Sequence, residues 1–232
     1  MEFDKNLLDN LAEAVSSGYP TTRVLEDLKD FFEVQQLYGA AIKEIKTKLE
    51  ILDEEFQVKF DHNPIHHMEY RLKSPKSIVD KLQKKNFEVS TASIKENLTD
   101  VAGVRVICNY IDDINRMADL LTRQDDIVLV RRRDYIAQPK ENGYRSLHLV
   151  VTVPIFLAES TQRVPVEIQI RTIAMDFWAS LEHELKYKSE ADISEDLRRR
   201  LKNSAESISL LDAEMQSIYK EINSSKTKRG NI

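Results

Sequence analysis

Val164-Pro165-Val166-Glu167-Ile168-Gln169-Ile170-Arg171-Thr172 alternates apolar and polar side chains. In a strand, alternate residues share a face. One face is then core, and the other presents an acid, an amide and a base in a row. An ordinary solvated sheet face has the same bare pattern. Upstream, Asp100-Val101-Ala102-Gly103-Val104-Arg105 leads into a second strand, with Arg105 pointing opposite to Val104 and Val106. Gly103 allows a close backbone approach. An aspartate at a strand start and a glutamate on a neighbouring strand can share a Mg²⁺ ion. That ion needs only one or two carboxylates when substrate phosphates complete its shell. A turn or helix cap is the plainer role for Asp100.

Two further segments carry positive charge. Arg133-Asp134-Tyr135 is followed by Lys140-Glu141-Asn142-Gly143-Tyr144-Arg145-Ser146-Leu147-His148. Lys140, Arg145 and His148 are phosphate donors, and Tyr144 offers a ring to a base. A basic hairpin loop with a tyrosine packed beneath it fits the same residues. In Arg71-Leu72-Lys73-Ser74-Pro75-Lys76-Ser77-Ile78-Val79-Asp80-Lys81, a helix begins just after Pro75. Ser77 and Lys81, four apart, share one face beside the helix N-terminus, an arrangement suited to phosphate. No G-x-x-x-x-G-K-[ST] sequence occurs, so any phosphates are held by Lys and Arg rather than by a P-loop.

Elements must bring these segments together. The scarcity of glycine, five in 232 residues, predicts long helices. A short helix is expected at 6–15. A long one follows, with a seam at Val24, Leu28, Phe31, Gln35, Tyr38, Ile42, Ile45, Leu49, Leu52 and Phe56. Its steps of three and four are those of a heptad. Short helices are expected at 77–85 and 91–98, and strands at 104–108, 127–133, 147–153 and 164–170. Helices are expected at 111–123, 172–188 and 195–223, the last with a stripe from Leu197 to Ile222. The tail 224–232 reads as disordered. The implied division is a helical region 1–64, an α/β unit 65–190, and a helix and tail 191–232. The two seams need partners, either within the chain or in other copies of it.

The net charge is −5, but it is unevenly spread. Residues 1–60 carry −6, residues 71–85 carry +5 and residues 131–145 carry +3. Long nucleic acid asks for a broad basic face. Two short basic blocks in an acidic chain suit a small polyphosphate better, so no stable nucleic-acid partner is expected. No run of 18 apolar residues exists, so no membrane-spanning helix is expected. The acidic N-terminus does not read as a signal peptide. The single cysteine, Cys108, excludes an intrachain disulfide framework and points to the cytoplasm. His62, His66 and His67 form a zinc-like cluster, with Pro64 between them.

In their order, R-x-K…S-x-x-x-K, D-x-x-G-x-R, R-D-Y-I, K-x-x-G-Y-R-S-x-H and E-I-Q-I-R-T resemble the synthetase domain of the RelA/SpoT family. Ala174-Met175-Asp176-Phe177-Trp178-Ala179 and Glu182-His183 match it as well. The resemblance covers about residues 65–190, and the chain length is similar to that of the small alarmone synthetases. It implies an α+β fold: a nucleotidyltransferase-like mixed sheet with helices, flanked by long N- and C-terminal helices. It also implies transfer of pyrophosphate from ATP to the 3′-hydroxyl of GDP or GTP. On this chain Arg71 and Arg105 would clamp adenine, and Lys73, Ser77, Lys81 and Arg133 would hold the ATP phosphates. Asp100 and Glu167 would bind Mg²⁺, with Glu167 also taking the hydroxyl proton. Tyr144 would stack on guanine, with Lys140, Arg145, His148 and Gln169 around the acceptor. Asp176 would lie near the guanine, where related members often carry Asn. No His-Asp dipeptide of the family's hydrolase domain occurs, so synthesis without hydrolysis is implied. The family also implies a homotetramer built through the helical flanks. The competing readings are a catalytically silent nucleotide- or RNA-binding regulator and a purely structural helical oligomer.

Overall fold

The computed structural model describes residues 21–188 and 194–229. The helix expected at 6–15 lies outside them. The long helix α1 spans Thr21–Lys59. It is followed by β1 (Ile65–Leu72), α2 (Pro75–Lys84), α3 (Thr91–Asn97), β2 (Ala102–Cys108) and α4 (Ile111–Thr122). Then come β3 (Val128–Asp134), β4 (Leu147–Phe156), β5 (Thr161–Thr172), α5 (Ile173–Lys188) and α6 (Glu195–Arg229). The five strands form one mixed sheet in the order β1-β2-β5-β4-β3, with only β2 and β5 parallel. The fold is α+β, as expected.

The sheet has one covered face. Val104, Val106, Ile168, Ile170, Leu149 and Val151 are buried there, against α1 and α4. The opposite face carries the polar residues of the same strands. Two prolines fall inside strands at sites that tolerate them. Pro165 pairs with Thr152 on β4, but β2 pairing begins only at Val166. Pro154 pairs with Arg163, and β3 pairing stops at Thr152. Each lies where its strand has one neighbour, the edge position at which proline is tolerated.

Two expectations, the elements at 65–72 and 224–229, are corrected, and one left open, the partner of the α1 seam, is decided for the described residues. Residues 65–72 form a strand that the reading of the sequence did not include, although Met68, Tyr70 and Leu72 alternate with Glu69, Arg71 and Lys73. The α1 seam, where its side chains are described, is consumed within the chain. Tyr38, Ile45, Leu49 and Phe56 are buried in the main core, with Val34, Leu37 and Ala41 beside them. A heptad-like stripe fits a flat sheet as well as another helix, because both want one apolar face. The last helix also runs on through Arg229, past the expected start of a disordered tail.

Candidate active site

The sheet register assembles the site on the open face. Across the five strands one row reads Glu69, Arg105, Gln169, His148, Arg133. The next reads Arg71, Gly103, Glu167, Val150, Arg131. Side chains directly opposite one another on a sheet face stand about 5 Å apart. Five sequence-distant segments are thus laid side by side. Gly103 lies between Glu167 and Arg71, and a Cβ there would meet only the Arg71 carbonyl oxygen, at 3.5 Å. The fold tolerates a side chain at that position; the open floor of the cleft needs its absence.

That cleft has a volume of about 620 Å³. Arg71, Lys73, Asp100, Arg105, Glu167 and Gln169 are among the residues that line it. Lys73 and Lys81 both donate to Asp100 Oδ2, the second at 2.5 Å. Burial would raise the Asp100 pKa, but these two ammonium groups outweigh it and hold the carboxyl below its ordinary range. Burial, in turn, lowers that of Lys73. Ser77 sits in the first turn of α2, where Ser74 caps the helix and its Oγ lies 2.9 Å from that of Ser77.

Glu167 is half-buried beside this cluster. Gln169 Nε2 donates to its Oε2 at 3.1 Å, and His148 Nδ1 faces its Oε1 at 3.7 Å. Burial pushes its pKa up, yet His148 and Gln169 outweigh that and hold it below the usual carboxylate range. His148 Nε2 lies 2.8 Å from the Tyr144 hydroxyl. Lys140 Nζ stands 4.7 Å from the ring centroids of both Tyr135 and Tyr144. An aromatic wall topped by a cation therefore borders Glu167.

The wall is set by distant packing. Gly143 has a positive φ of +91°, and a Cβ there would fall 2.5 Å from Ala205 Cβ on α6. Both conformation and space demand glycine. Asn142 donates to Glu182 on α5 at 3.0 Å, and Tyr144 packs against Trp178, Ala179 and Ala205. The two C-terminal helices thus buttress the loop.

Of the sequence-expected residues, Arg71, Lys73, Asp100, Arg105, Glu167 and Gln169 share the cleft and Lys81 joins Asp100, whereas Arg133 lies on the far edge strand beside His148. Arg105 bonds Glu69 at 2.8 Å and lies 3.5 Å from Asp176. Arg133 reaches the Tyr135 hydroxyl at 3.5 Å. Arg145 donates to the Ile136 carbonyl at 3.1 Å, bracing its own loop. Asp176 is bonded to Arg171 at 3.1 Å, so its carboxylate sits between two guanidiniums. Residues to which the sequence assigned no role are Tyr135 and above all Arg171. Tyr135 was within R-D-Y-I, and Arg171 closed the polar row of the E-I-Q-I-R-T strand. Nothing in the spacing distinguished Arg171 from a solvated base. His62, offered as a zinc ligand, instead holds Asp113 at 2.9 Å.

Lys73 and Lys81 stand together at Asp100, while Arg133 lies on the opposite edge strand beside Tyr135. The region found in RelA / SpoT proteins matches residues 70–192. The chain is 45% identical over 199 residues to GTP pyrophosphokinase YwaC of Bacillus subtilis (strain 168), covering 86% of this chain and 93% of that protein. Over 185 residues it is 40% identical to GTP pyrophosphokinase YjbM of the same strain, covering 80% and 86%. The solved structure of small alarmone synthetase 1 from Bacillus subtilis, bound to its product pppGpp, superposes with a TM-score of 0.79 at 38% identity. That match covers 84% of this chain and 99% of the other. The core shared with these relatives is the nucleotidyltransferase-like one. A sheet face that gathers this family's motifs, a family match over 70–192 and relatives spanning most of the chain lead to one conclusion: this chain belongs to the RelA/SpoT family.

Proposed function

We propose that this chain is a synthetase-only (p)ppGpp synthetase, a GTP pyrophosphokinase. It transfers the pyrophosphate of ATP to the 3′-hydroxyl of GDP or GTP, leaving AMP, and its product serves the stringent stress response. The observation that carries this reading is the single cleft holding Arg71, Lys73, Asp100, Arg105, Glu167 and Gln169, with the Tyr144–His148 wall beside Glu167.

In the reaction the acceptor 3′-oxygen attacks the β-phosphorus. The new O–Pβ bond forms, the bond from the α,β-bridging oxygen to Pβ breaks, and the leaving oxygen departs with AMP. The hydroxyl proton passes to the Glu167 carboxylate. Such transfers depend on alignment and charge neutralisation more than on covalent help from the protein. Arg71 and Arg105 flank the donor cleft and can stack on adenine, since guanidinium planes pack on bases. Lys73, Ser77, Lys81 and Arg133 take the phosphates. Tyr144 receives guanine on its ring, with Lys140, Arg145, His148, Gln169 and Asp176 around the acceptor.

The residues fit Mg²⁺. Asp100 gives Oδ2 to two lysines, while its buried Oδ1 has no hydrogen-bond partner. A free carboxylate oxygen beside a phosphate-binding cluster suits a hard cation, with Glu167 as the second donor. When bound, the ion neutralises charge on the transferring phosphates. The test is incubation of the purified protein with ATP, GDP and Mg²⁺, followed by chromatography. A 3′-pyrophosphorylated product and an equal amount of AMP are expected; ADP, or no product, would refute the reading.

A homotetramer, closed and symmetric, accompanies this proposal. Ile173, Phe177, Leu181 and Leu185 on α5, and Leu211, Met215, Ile218 and Ile222 on α6, are exposed in the single chain. Of these, Ile173, Phe177, Leu211 and Met215 line an apolar groove of about 440 Å³. Exposed apolar side chains gathered on two adjacent helices mark an association surface. Unlike the α1 seam, this one is left open by its own chain. Light scattering at micromolar concentration should give a multiple of 26.9 kDa; the monomer mass would overturn the assembly. No helix among the described residues is long and apolar enough to cross a membrane. We place the enzyme in the cytoplasm, where its nucleotide substrates are made.

A further inference from the structure

Arg171 is buried, at 4% exposure, yet each of its three guanidinium nitrogens is engaged. Nε donates to Ser146 Oγ at 3.4 Å and Nη1 to Asp176 at 3.1 Å. Nη2 donates to the Tyr144 hydroxyl at 2.5 Å and to Gln169 Oε1 at 2.9 Å. Its carbon lies 5.0 Å from the Tyr144 ring centroid. Burying a cation is costly, and an apolar side chain of similar volume would often serve stability as well. The hydrogen-bond pattern suggests what the arginine adds.

Arginine has only donors and keeps its proton throughout the working pH range. The Tyr144 oxygen therefore accepts from Arg171, and its one hydrogen is free to go to His148 Nε2, 2.8 Å away. A neutral imidazole that accepts at Nε2 carries its hydrogen on Nδ1. That nitrogen faces Glu167 Oε1 at 3.7 Å. The same logic applies to Gln169. Its Oε1 accepts from Arg171, so its amide nitrogen is turned to Glu167 Oε2, at 3.1 Å. Both oxygens of the catalytic carboxylate thus meet a donor whose direction is set by one buried residue that never touches them.

We infer that Arg171 is a positioning residue: through Tyr144 it fixes His148 in the Nδ1–H tautomer, and through Gln169 it fixes the amide, so that both aim donors at Glu167. The inference rests on the proposed synthetase reaction for its kinetic consequence, but the tautomer is a property of the resting protein. In this arrangement Tyr144 has two separable parts. Its ring serves the acceptor base, and its hydroxyl passes direction from Arg171 to His148.

The test combines both readouts. Histidine-labelled protein at about pH 8, above the ordinary histidine range, gives ring ¹⁵N shifts, with the His148 signals identified by their loss in His148→Gln. The wild type should show protonated Nδ1 and bare Nε2. Arg171→Lys keeps the charge beside Asp176 but cannot reproduce the fork. It should lose the tautomer preference and about ten- to hundred-fold in kcat, the usual loss when an orienting partner is removed. KM for ATP should change by less than about two-fold, because uniform binding is untouched. Tyr144→Phe keeps the ring and should lose the tautomer preference in the same way. A wild-type protein with hydrogen on Nε2 overturns the inference even if every variant fails to fold. So does an Arg171→Lys enzyme with wild-type tautomer and kcat, since charge alone would then suffice. A wild type that makes no product but shows the Nδ1–H tautomer sinks the synthetase reading and leaves the relay standing.

Discussion

Glu167→Gln isolates the charge of one carboxylate with almost no change in shape. In the native site Gln169 donates to Oε2 at 3.1 Å and His148 faces Oε1 at 3.7 Å. An amide keeps one acceptor and turns an NH₂ toward a neighbouring donor. Losing a hydrogen bond to a charged acceptor costs about 1.5–3 kcal/mol of stability at most, and less here because the group is only half-buried. The protein should stay folded. The kinetic loss should be larger. A positioned general base contributes roughly 10²–10⁴-fold, which is about 2.7–5.5 kcal/mol at 1.36 kcal/mol per decade. Glu167 is held below the ordinary carboxylate range, so it is a weak base for a sugar hydroxyl. The base contribution should therefore fall toward the lower end, with loss of the proposed oxygen ligand for Mg²⁺ supplying the rest. We expect kcat to drop by about 10³-fold or more, with ATP and GDP affinities within a few-fold of wild type. Product formation is followed by chromatography and binding by calorimetry. A variant within ten-fold of the wild-type kcat would remove Glu167 from the chemistry.

Other substitutions probe the remaining parts. Tyr144→Ala removes a stacking ring worth about 1–3 kcal/mol per base; KM for GDP or GTP should rise roughly ten-fold with that for ATP much less affected, and the reverse would place Tyr144 in the donor site. Ile45 is fully buried in the main core, so Ile45→Asp should unfold the chain, at a cost of several kcal/mol; native circular dichroism together with a smaller mass by light scattering would show that the α1 seam serves assembly instead. Asp212 is 7% exposed, and burial raises its pKa against the help of the Thr172 hydroxyl at 2.6 Å. A raised folded-state pKa means that the penalty operates above that pKa and disappears below the unfolded value of 3.8. Asp212→Asn should therefore raise Tm near neutral pH by about 2–4 °C per kcal/mol relieved, with the gain vanishing as pH falls below about 4. An unchanged or lower Tm at neutral pH would count against a buried charge at this position.

Much of the chemistry was legible in the sequence because strand periodicity is strict. Alternation along 164–172 placed Glu167, Gln169 and Arg171 on one face, and the same rule set Arg105 opposite Val104 and Val106. Local signals also marked the helix after Pro75 and the strand after Asp100. The order of the charged motifs was enough to identify the family. What periodicity leaves open is which strands become neighbours. Lys73 and Lys81 meet Asp100 across 27 and 19 residues, and Tyr144 meets Arg171 across 27. Only the β1-β2-β5-β4-β3 order aligns Glu69, Arg105, Gln169, His148 and Arg133 in a row. The partner of a seam was likewise undetermined. The stripes of α1 and α6 look alike in sequence, yet the first is buried on the sheet while the second is covered at Ala205 and exposed from Leu211 to Ile222, because an apolar period specifies a face and not what covers it. Arg171 shows the same limit at a single residue. Its type and position were plain, but a base in a polar row becomes a buried anchor only when Tyr144, Ser146 and Asp176 converge on it, and that convergence is decided by tertiary packing.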